Sequence, residues 1–203
     1  ASAMLLARAV PLLLIFALLA FMSTEMWQAF SGISDPGLVA VGLLFLSLGA
    51  GFLIARLPRE VRQLEAEVGS EALPLSARQR RNVGVVLFVS QAVQVLAVSL
   101  LVALFFVVFG AIAVPEQVRE SWIGSGGDVI VPLTLFGESF DLTSELLKVA
   151  GGLAAFSGLY FAIAMLTDST YREEFLVELT DELRTTFRER AEYLRLRASA
   201  TPG

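Results

Sequence analysis

The sequence predicts an all-α integral membrane protein with four transmembrane helices. The chain has 203 residues, of which 56% are hydrophobic and only 17% are charged, and its mean hydropathy is +0.72. Soluble domains are roughly half apolar and about a quarter charged. Four stretches lack charged residues over a membrane-spanning length, and most arginines lie on one side of these stretches. Buried helices of a soluble protein, the alternative, are usually shorter and keep a polar stripe.

The four uncharged stretches are residues 9–24, 36–55, 82–114 and 149–167. Roughly 20 apolar residues cross the hydrocarbon core, so the second and fourth stretches fit directly. The first is short and needs Arg8 and Glu25 near the headgroups, with Trp27 as an interfacial belt residue. The third spans about 50 Å as a helix and must tilt or project beyond the membrane. A cleaved signal peptide is the alternative for the first stretch and leaves the class unchanged. We predict a transmembrane domain over residues 1–167, with spans at about 5–28, 36–57, 82–112 and 145–167.

The arginines predict the orientation of the spans. Six lie between the second and third spans and six follow the fourth: Arg56, Arg59, Arg62, Arg78, Arg80, Arg81, Arg172, Arg184, Arg188, Arg190, Arg195 and Arg197. Only Arg119 and Lys148 lie between the third and fourth spans. Because Lys and Arg concentrate in cytoplasmic segments, both termini are expected in the cytoplasm of a plasma membrane protein. Ala1 to Met4 resemble neither a charged start nor a helix cap, which suits a longer native chain.

Two amphipathic helices are expected on the cytoplasmic side. Pro58 suits the first position of a short helix whose apolar stripe ends at Val68. Residues 168–203 form the second, a long C-terminal helix and tail, and Thr170 with Glu173 has the spacing of a capping box. Its apolar stripe would pack either on the inner-loop helix or on the same helix of another copy.

The outer loop, residues 114–144, is expected to contain a small extracytoplasmic β-hairpin. Its strands are Val129 to Phe136 and Ser139 to Leu142, joined by Gly137 and Glu138. Pro132 would make its strand an edge strand. Because a lone hairpin is marginally stable in water, it is expected to rest on a helix end or a second subunit.

The composition excludes most enzyme chemistry. The chain has no cysteine and no histidine, which removes disulfides, thiol nucleophiles, imidazole bases and the usual zinc ligands. No catalytic residue, metal site or cofactor is predicted, and the protein is not expected to be an enzyme. The arginines near the membrane could contact anionic lipid headgroups, although Glu60, Glu65, Glu67 and Glu71 are expected to dilute them. The same mixing of charges argues against nucleic acid as a partner.

Polar residues inside the spans are the candidate functional residues. Ser90, Gln91 and Gln94 share one face of the third span, and both glutamines fall near the membrane middle. They would either bond to a carbonyl, Ser47 or Ser157 of another helix, the preferred interpretation, or line an ion pathway. Glu25 would either pair with Lys148 or attract cations to an outer mouth.

Small residues form two packing strips. The strip on the fourth span comprises Ala150, Ala154, Gly158 and Ala162, and the strip on the second comprises Ser47, Gly51 and Ala55. Such strips let helix backbones approach closely. Packing within one subunit is the preferred interpretation, and a subunit interface is the alternative.

The segments 24–28 (TEMWQ), 56–61 (RLPREV), 155–161 (AFSGLYF) and 170–175 (TYREEF) resemble a family of actinobacterial multi-pass integral membrane proteins that has no assigned activity. The resemblance implies a bacterial plasma membrane location and nothing about activity. Two hypotheses of function remain. The chain is either a homo-oligomeric ion channel or transport protein, or a non-catalytic scaffold or accessory subunit among other membrane subunits.

Overall fold

A computed structural model describes residues 14–68, 76–132, 134–135 and 138–167. Its helices are α1 (Leu14–Phe21), α2 (Thr24–Ser31), α3 (Asp35–Val68), α4 (Ala77–Ala113), α5 (Glu116–Ile123) and α6 (Ser144–Thr167). Its strands are β1 (Val129–Val131), β2 (Thr134–Leu135), β3 (Glu138–Ser139) and β4 (Leu142–Thr143). The mainly helical class and the presence of a small hairpin are confirmed. The predicted C-terminal helix of residues 168–203 lies outside the described residues.

Three helices, α3, α4 and α6, are long and apolar enough to cross a membrane. The predicted first span is not one straight helix, because α1 and α2 meet at an angle of 77°. The hydroxyl of Ser23 explains where the chain turns, since it accepts a hydrogen bond from the Met26 amide and caps the start of α2. If the bent pair counts as one span, the structure has four helical segments that could cross a membrane. Residues 5–13 of the predicted first span lie outside the residues that the structure describes.

The core lies where α4 packs along α6, with α1, α2 and α3 around them. Phe21 of α1 stacks on Phe106 of α4 at a centroid distance of 4.9 Å. Trp27 of α2 is completely buried, so its predicted place in a lipid-facing belt is wrong. Its ring instead meets the edge of Phe21 and fills the angle between α1 and α2.

Helix α3 continues through Pro58 to Val68, so the separate inner-loop helix predicted from Pro58 does not exist. A proline removes one hydrogen bond from a helix, and membrane helices tolerate this loss when neighbouring helices support them. Val61, three residues further on, is buried and packs beside Gly84 of α4. The apolar face of α3 therefore extends past the proline and stays on α4.

Helix α4 has 37 residues and is about 55 Å long, which exceeds the hydrocarbon thickness as the sequence predicted. It begins at Ser76 with a capping box: Ser76 Oγ accepts from the Gln79 amide at 3.4 Å, and Gln79 Oε1 accepts from the Ser76 amide at 3.0 Å. The end where α3 finishes and α4 starts is called the arginine-rich end below.

The hairpin lies at the opposite end, before α6. Strand β1 pairs with β4, and β2 pairs with β3, both antiparallel. Glu138 pairs with Leu135 and belongs to β3, so its predicted place in the turn is wrong. The predicted strand 129–136 is interrupted at Pro132, which cannot donate to the ladder. The Ser144 amide donates to the Asp128 carbonyl at 2.9 Å, which seats the hairpin on the start of α6 as expected.

Candidate functional site

A buried polar pair joins α3 to α4 toward the arginine-rich end. The amide Nε2 of Gln91 donates a hydrogen bond to Glu60 Oε2 at 2.7 Å. Glu60 is 7% exposed and Gln91 is 2% exposed. Glu60 also has a further interaction within the chain. The pair therefore places a carboxyl group among apolar side chains of two membrane-length helices.

The second amide atom of Gln91, Oε1, is buried and has no hydrogen-bond partner among the described residues. Leaving a buried acceptor unpaired costs about 1–3 kcal/mol. An amide oxygen accepts hydrogen bonds and binds hard cations, and a carboxylate can hold a proton or a positive charge. The pair thus offers an unused acceptor next to an ionisable group.

The position of Glu60 differs from the sequence prediction. We expected a short amphipathic helix there, with Glu60 among the charged residues near the headgroups, whereas α3 continues and turns Glu60 inward. Leu53, Leu57 and Glu60 follow one another at steps of four and three, which places them on one helix face. Extending the apolar pattern of the second span past Pro58 would have found this carboxyl group.

The structure gives the hydrogen-bond partner of Gln91. Gln91 bonds between helices, but to Glu60 rather than to Ser47 or Ser157. Ser47 is exposed, and its hydroxyl donates to the Leu44 carbonyl of its own helix at 2.8 Å. Ser90 and Gln94 flank Gln91 on α4 and are partly exposed, so the structure buries only the central member of the predicted polar face.

Glu25 and Lys148 do not form the ion pair predicted from their shared end of the bundle. Lys148 Nζ donates to the Ile33 carbonyl at 3.1 Å and lies 3.9 Å from Asp35 Oδ1. Helix α3 begins only four residues after α2 ends, so its first turn reaches Lys148. Glu25 is exposed in the first turn of α2.

The two small-residue strips differ in their surroundings. Ala150, Ala154, Gly158 and Ala162 of α6 are all buried. A Cβ atom at Gly158 would collide with the Ser99 hydroxyl of α4, so this strip packs within the chain. Ser47, Gly51 and Ala55 of α3 are exposed, and nothing lies within 4 Å of a Cβ built on Gly51. The α3 strip therefore does not pack within the described part of the chain.

A buried arginine, not anticipated from the sequence, orders the opposite end. Arg119 of α5 is 4% exposed. Its Nε donates to the Gly126 carbonyl at 2.7 Å, and its Nη1 donates to the Val114 carbonyl at 2.8 Å. These bonds tie α5 to the end of α4 and to the approach to the hairpin, which is a structural role.

Within the described ranges, no group of three or more Asp or Glu side chains could hold a metal ion. Comparison of the chain with protein-family models, curated proteins and solved structures finds no match. The resemblance to actinobacterial membrane proteins therefore rests on the residue pattern alone. Its implication for location stays a prediction.

Proposed function

We propose that this chain is an integral membrane protein that moves a proton or small cation across a bacterial plasma membrane as a homo-oligomer. The observation that carries the proposal is the buried Glu60–Gln91 pair. The apolar helices α3, α4 and α6 are compatible with an integral membrane protein. Ionisable groups inside such helices are rare, and they commonly mark ion or proton pathways.

In this proposal Glu60 holds the transported proton or cation and Gln91 positions its carboxyl group. The unpaired Oε1 of Gln91 supplies a second oxygen for the same charge. Ser90 and Gln94 continue the polar face along α4, and Glu25 attracts cations at the opposite end. A role limited to joining α3 and α4 would leave the unpaired oxygen of Gln91 without a benefit that offsets its cost.

A second candidate function is a non-catalytic scaffold or accessory subunit. The observation that favours it is the outward face of α3, where Val39, Leu43 and Leu46 are exposed beside the strip Ser47, Gly51 and Ala55. Small residues on an exposed membrane helix allow a helix of another protein to approach closely. In this case the Glu60–Gln91 pair would serve only to join α3 to α4.

The test is flux of protons and monovalent cations into proteoliposomes that contain the purified protein. Glu60→Gln removes the charge and keeps an acceptor oxygen for Gln91, so the fold is expected to persist. Because Glu60→Gln removes the group that holds the transported charge, it is expected to lower flux about tenfold or more. Gln91→Leu removes a hydrogen bond to that group, worth about 1.5–3 kcal/mol, and is expected to lower flux by a similar factor. Glu120→Gln, an exposed carboxyl group on α5, is the matched control and is expected to leave flux unchanged.

Normal flux through folded Glu60→Gln protein would overturn the assignment of the site. Flux no greater than in empty liposomes, together with native extraction of one copy among different proteins, would overturn the transport proposal and support the accessory subunit. A closed ring of identical copies on extraction, with flux that depends on Glu60, is the expected result.

A further inference from the structure

A groove of about 540 Å³ lies between α3 and α4 at the arginine-rich end. Its walls are apolar apart from three arginines, and its lining includes Ile54, Leu57, Val61, Gly84, Val85 and Phe88. Arg62, Arg80 and Arg81 complete the lining at the end nearest the connection between the two helices. The groove is therefore amphipathic along its length, with an apolar body and a cationic end.

The charged residues that line this groove are all arginines. Residues 54–62 and 77–88 contain six arginines and one acidic residue, Glu60. Glu60 is 7% exposed and bonded to Gln91, and its side chain does not line the groove. Arg62 and Arg81 are exposed at the rim.

The groove is also open toward the side of the molecule that would face lipid. Ile54 and Val85, on its two walls, are 56% exposed each. An acyl chain can therefore enter it laterally from the bilayer, without passing through water. A soluble anion would fill only the cationic end and leave the apolar walls uncovered.

We propose that this groove binds one anionic phospholipid. The guanidinium groups of Arg62 and Arg81 hold the phosphate at the end that Arg80 also lines, and an acyl chain lies between α3 and α4 along Leu57 and Val85. Guanidinium groups pair with phosphate through two parallel hydrogen bonds, which suits them to this role. Basic pockets between membrane helices on the cytoplasmic side recognise anionic headgroups in this way.

Native mass spectrometry of the purified protein tests the proposal, with phosphatidylglycerol and phosphatidylcholine supplied in equal amounts. We expect the wild type to retain phosphatidylglycerol preferentially. Each arginine near a headgroup contributes about a fivefold change in affinity, so Arg62→Gln with Arg81→Gln is expected to lower retention about 30-fold. Arg80 is left unchanged because it has another interaction within the chain.

The matched control is Arg59→Gln with Arg78→Gln, which removes the same charge from exposed positions that do not line the groove. It is expected to retain the lipid. Equal losses in the two double variants would overturn the site, since they would show only attraction to a positive surface. Equal retention of both lipids by the wild type would overturn it as well.

Gly84→Leu tests the apolar part, because a Cβ at Gly84 has only Val61 Cγ2 nearby, at 3.9 Å, and a longer side chain would occupy the groove. Gly84→Leu is expected to lower lipid retention although all the arginines are in place. Gly51→Leu, on the exposed face of α3, is the control and is expected to leave retention unchanged. Displacement of the lipid by millimolar inorganic phosphate would overturn the proposal in favour of a free anion site. Lipid retention is measured without flux, so it stands or falls separately from the transport proposal.

Discussion

The indole of Trp27 stabilises the sharp turn between α1 and α2. At the end of a helix the last carbonyl groups lack helical donors and need other partners. Trp27 Nε1 donates to the carbonyl of Phe21, the last residue of α1, at 2.8 Å. Because Trp27 is fully buried, water has no access to replace this bond. The Trp27 side chain thus supplies a hydrogen-bond donor to a backbone carbonyl group that lacks a helical donor at the turn.

Trp27→Phe is expected to lower the free energy of unfolding by about 1–3 kcal/mol, because the Phe21 carbonyl loses its donor while most of the ring packing remains. The measurement is thermal unfolding in detergent micelles. Trp122→Phe is the control, since Trp122 lies against Trp27 at a centroid distance of 5.7 Å and is only partly buried. Equal effects of the two substitutions would show that ring volume, and not the hydrogen bond, stabilises the turn.

Glu60 shows why part of the candidate site escapes sequence analysis. A carboxyl group among arginines in a segment after a proline is typical of a solvated loop. Its burial depends on the continuation of α3 and on the rotation that places position 60 toward α4, and both are set by packing between helices. Gln91 was recognisable because a glutamine inside an apolar stretch needs a partner, but the stretch does not identify that partner.

At the level of elements, hydropathy located most of the long helices because it is a local property of the chain. The uncharged stretches 36–55, 82–114 and 149–167 each lie almost wholly within one helix of the structure. The turn after α1 was not predicted, although Ser23, Thr24 and Glu25 have the composition of a helix start. The prediction of a single span followed instead the apolar stretch 9–24, which is almost long enough to cross the membrane.

The contact between α2 and α6 depends on a glycine. A Cβ atom at Gly152 would collide with the ring of Phe30, whereas one at the neighbouring Gly151 would meet nothing within 4 Å. Phe30 is itself buried, and its ring lies edge-on to Phe156. Position 152 therefore has no room for a side chain, whereas the adjacent position 151 does.

Gly152→Ala is expected to destabilise the protein by about 1–3 kcal/mol, because the added methyl group forces Phe30 out of a packed position. Gly151→Ala is expected to be neutral or to stabilise α6 by up to about 1 kcal/mol, since alanine favours helix more than glycine does. Both are measured as shifts of the unfolding midpoint in micelles. A stable Gly152→Ala variant would mean that α2 can move away from α6 without cost.

For the whole molecule, the number of membrane crossings depends on the bent pair α1–α2. Helix α1 ends beside Phe106 and Gly110 of α4, at the end that carries α5 and the hairpin. With four crossings the two termini share one side of the membrane, and with three they lie on opposite sides. The twelve arginines that predict the orientation apply to the loops and the C-terminus, so they do not distinguish these arrangements.

Single cysteines resolve the question cleanly, because the 203-residue sequence has none. Intact bacterial cells that express Ser125→Cys, Ala77→Cys, Ser199→Cys or Ser2→Cys would be treated with a membrane-impermeant maleimide. We expect Ser125→Cys, in the outer loop, to react in intact cells. Ala77→Cys and Ser199→Cys are expected to react only after permeabilisation, because arginine-rich segments stay in the cytoplasm. Ser2→Cys is expected to behave like these two, because the proposed four crossings place both termini on one side. Reaction of Ser2→Cys in intact cells would reduce the crossings to three, and exchange of the Ser125 and Ala77 results would reverse the orientation. Reversed orientation would also move both the arginine-lined groove and the Glu25 end to the opposite side of the membrane, and the transport proposal would have to change with it.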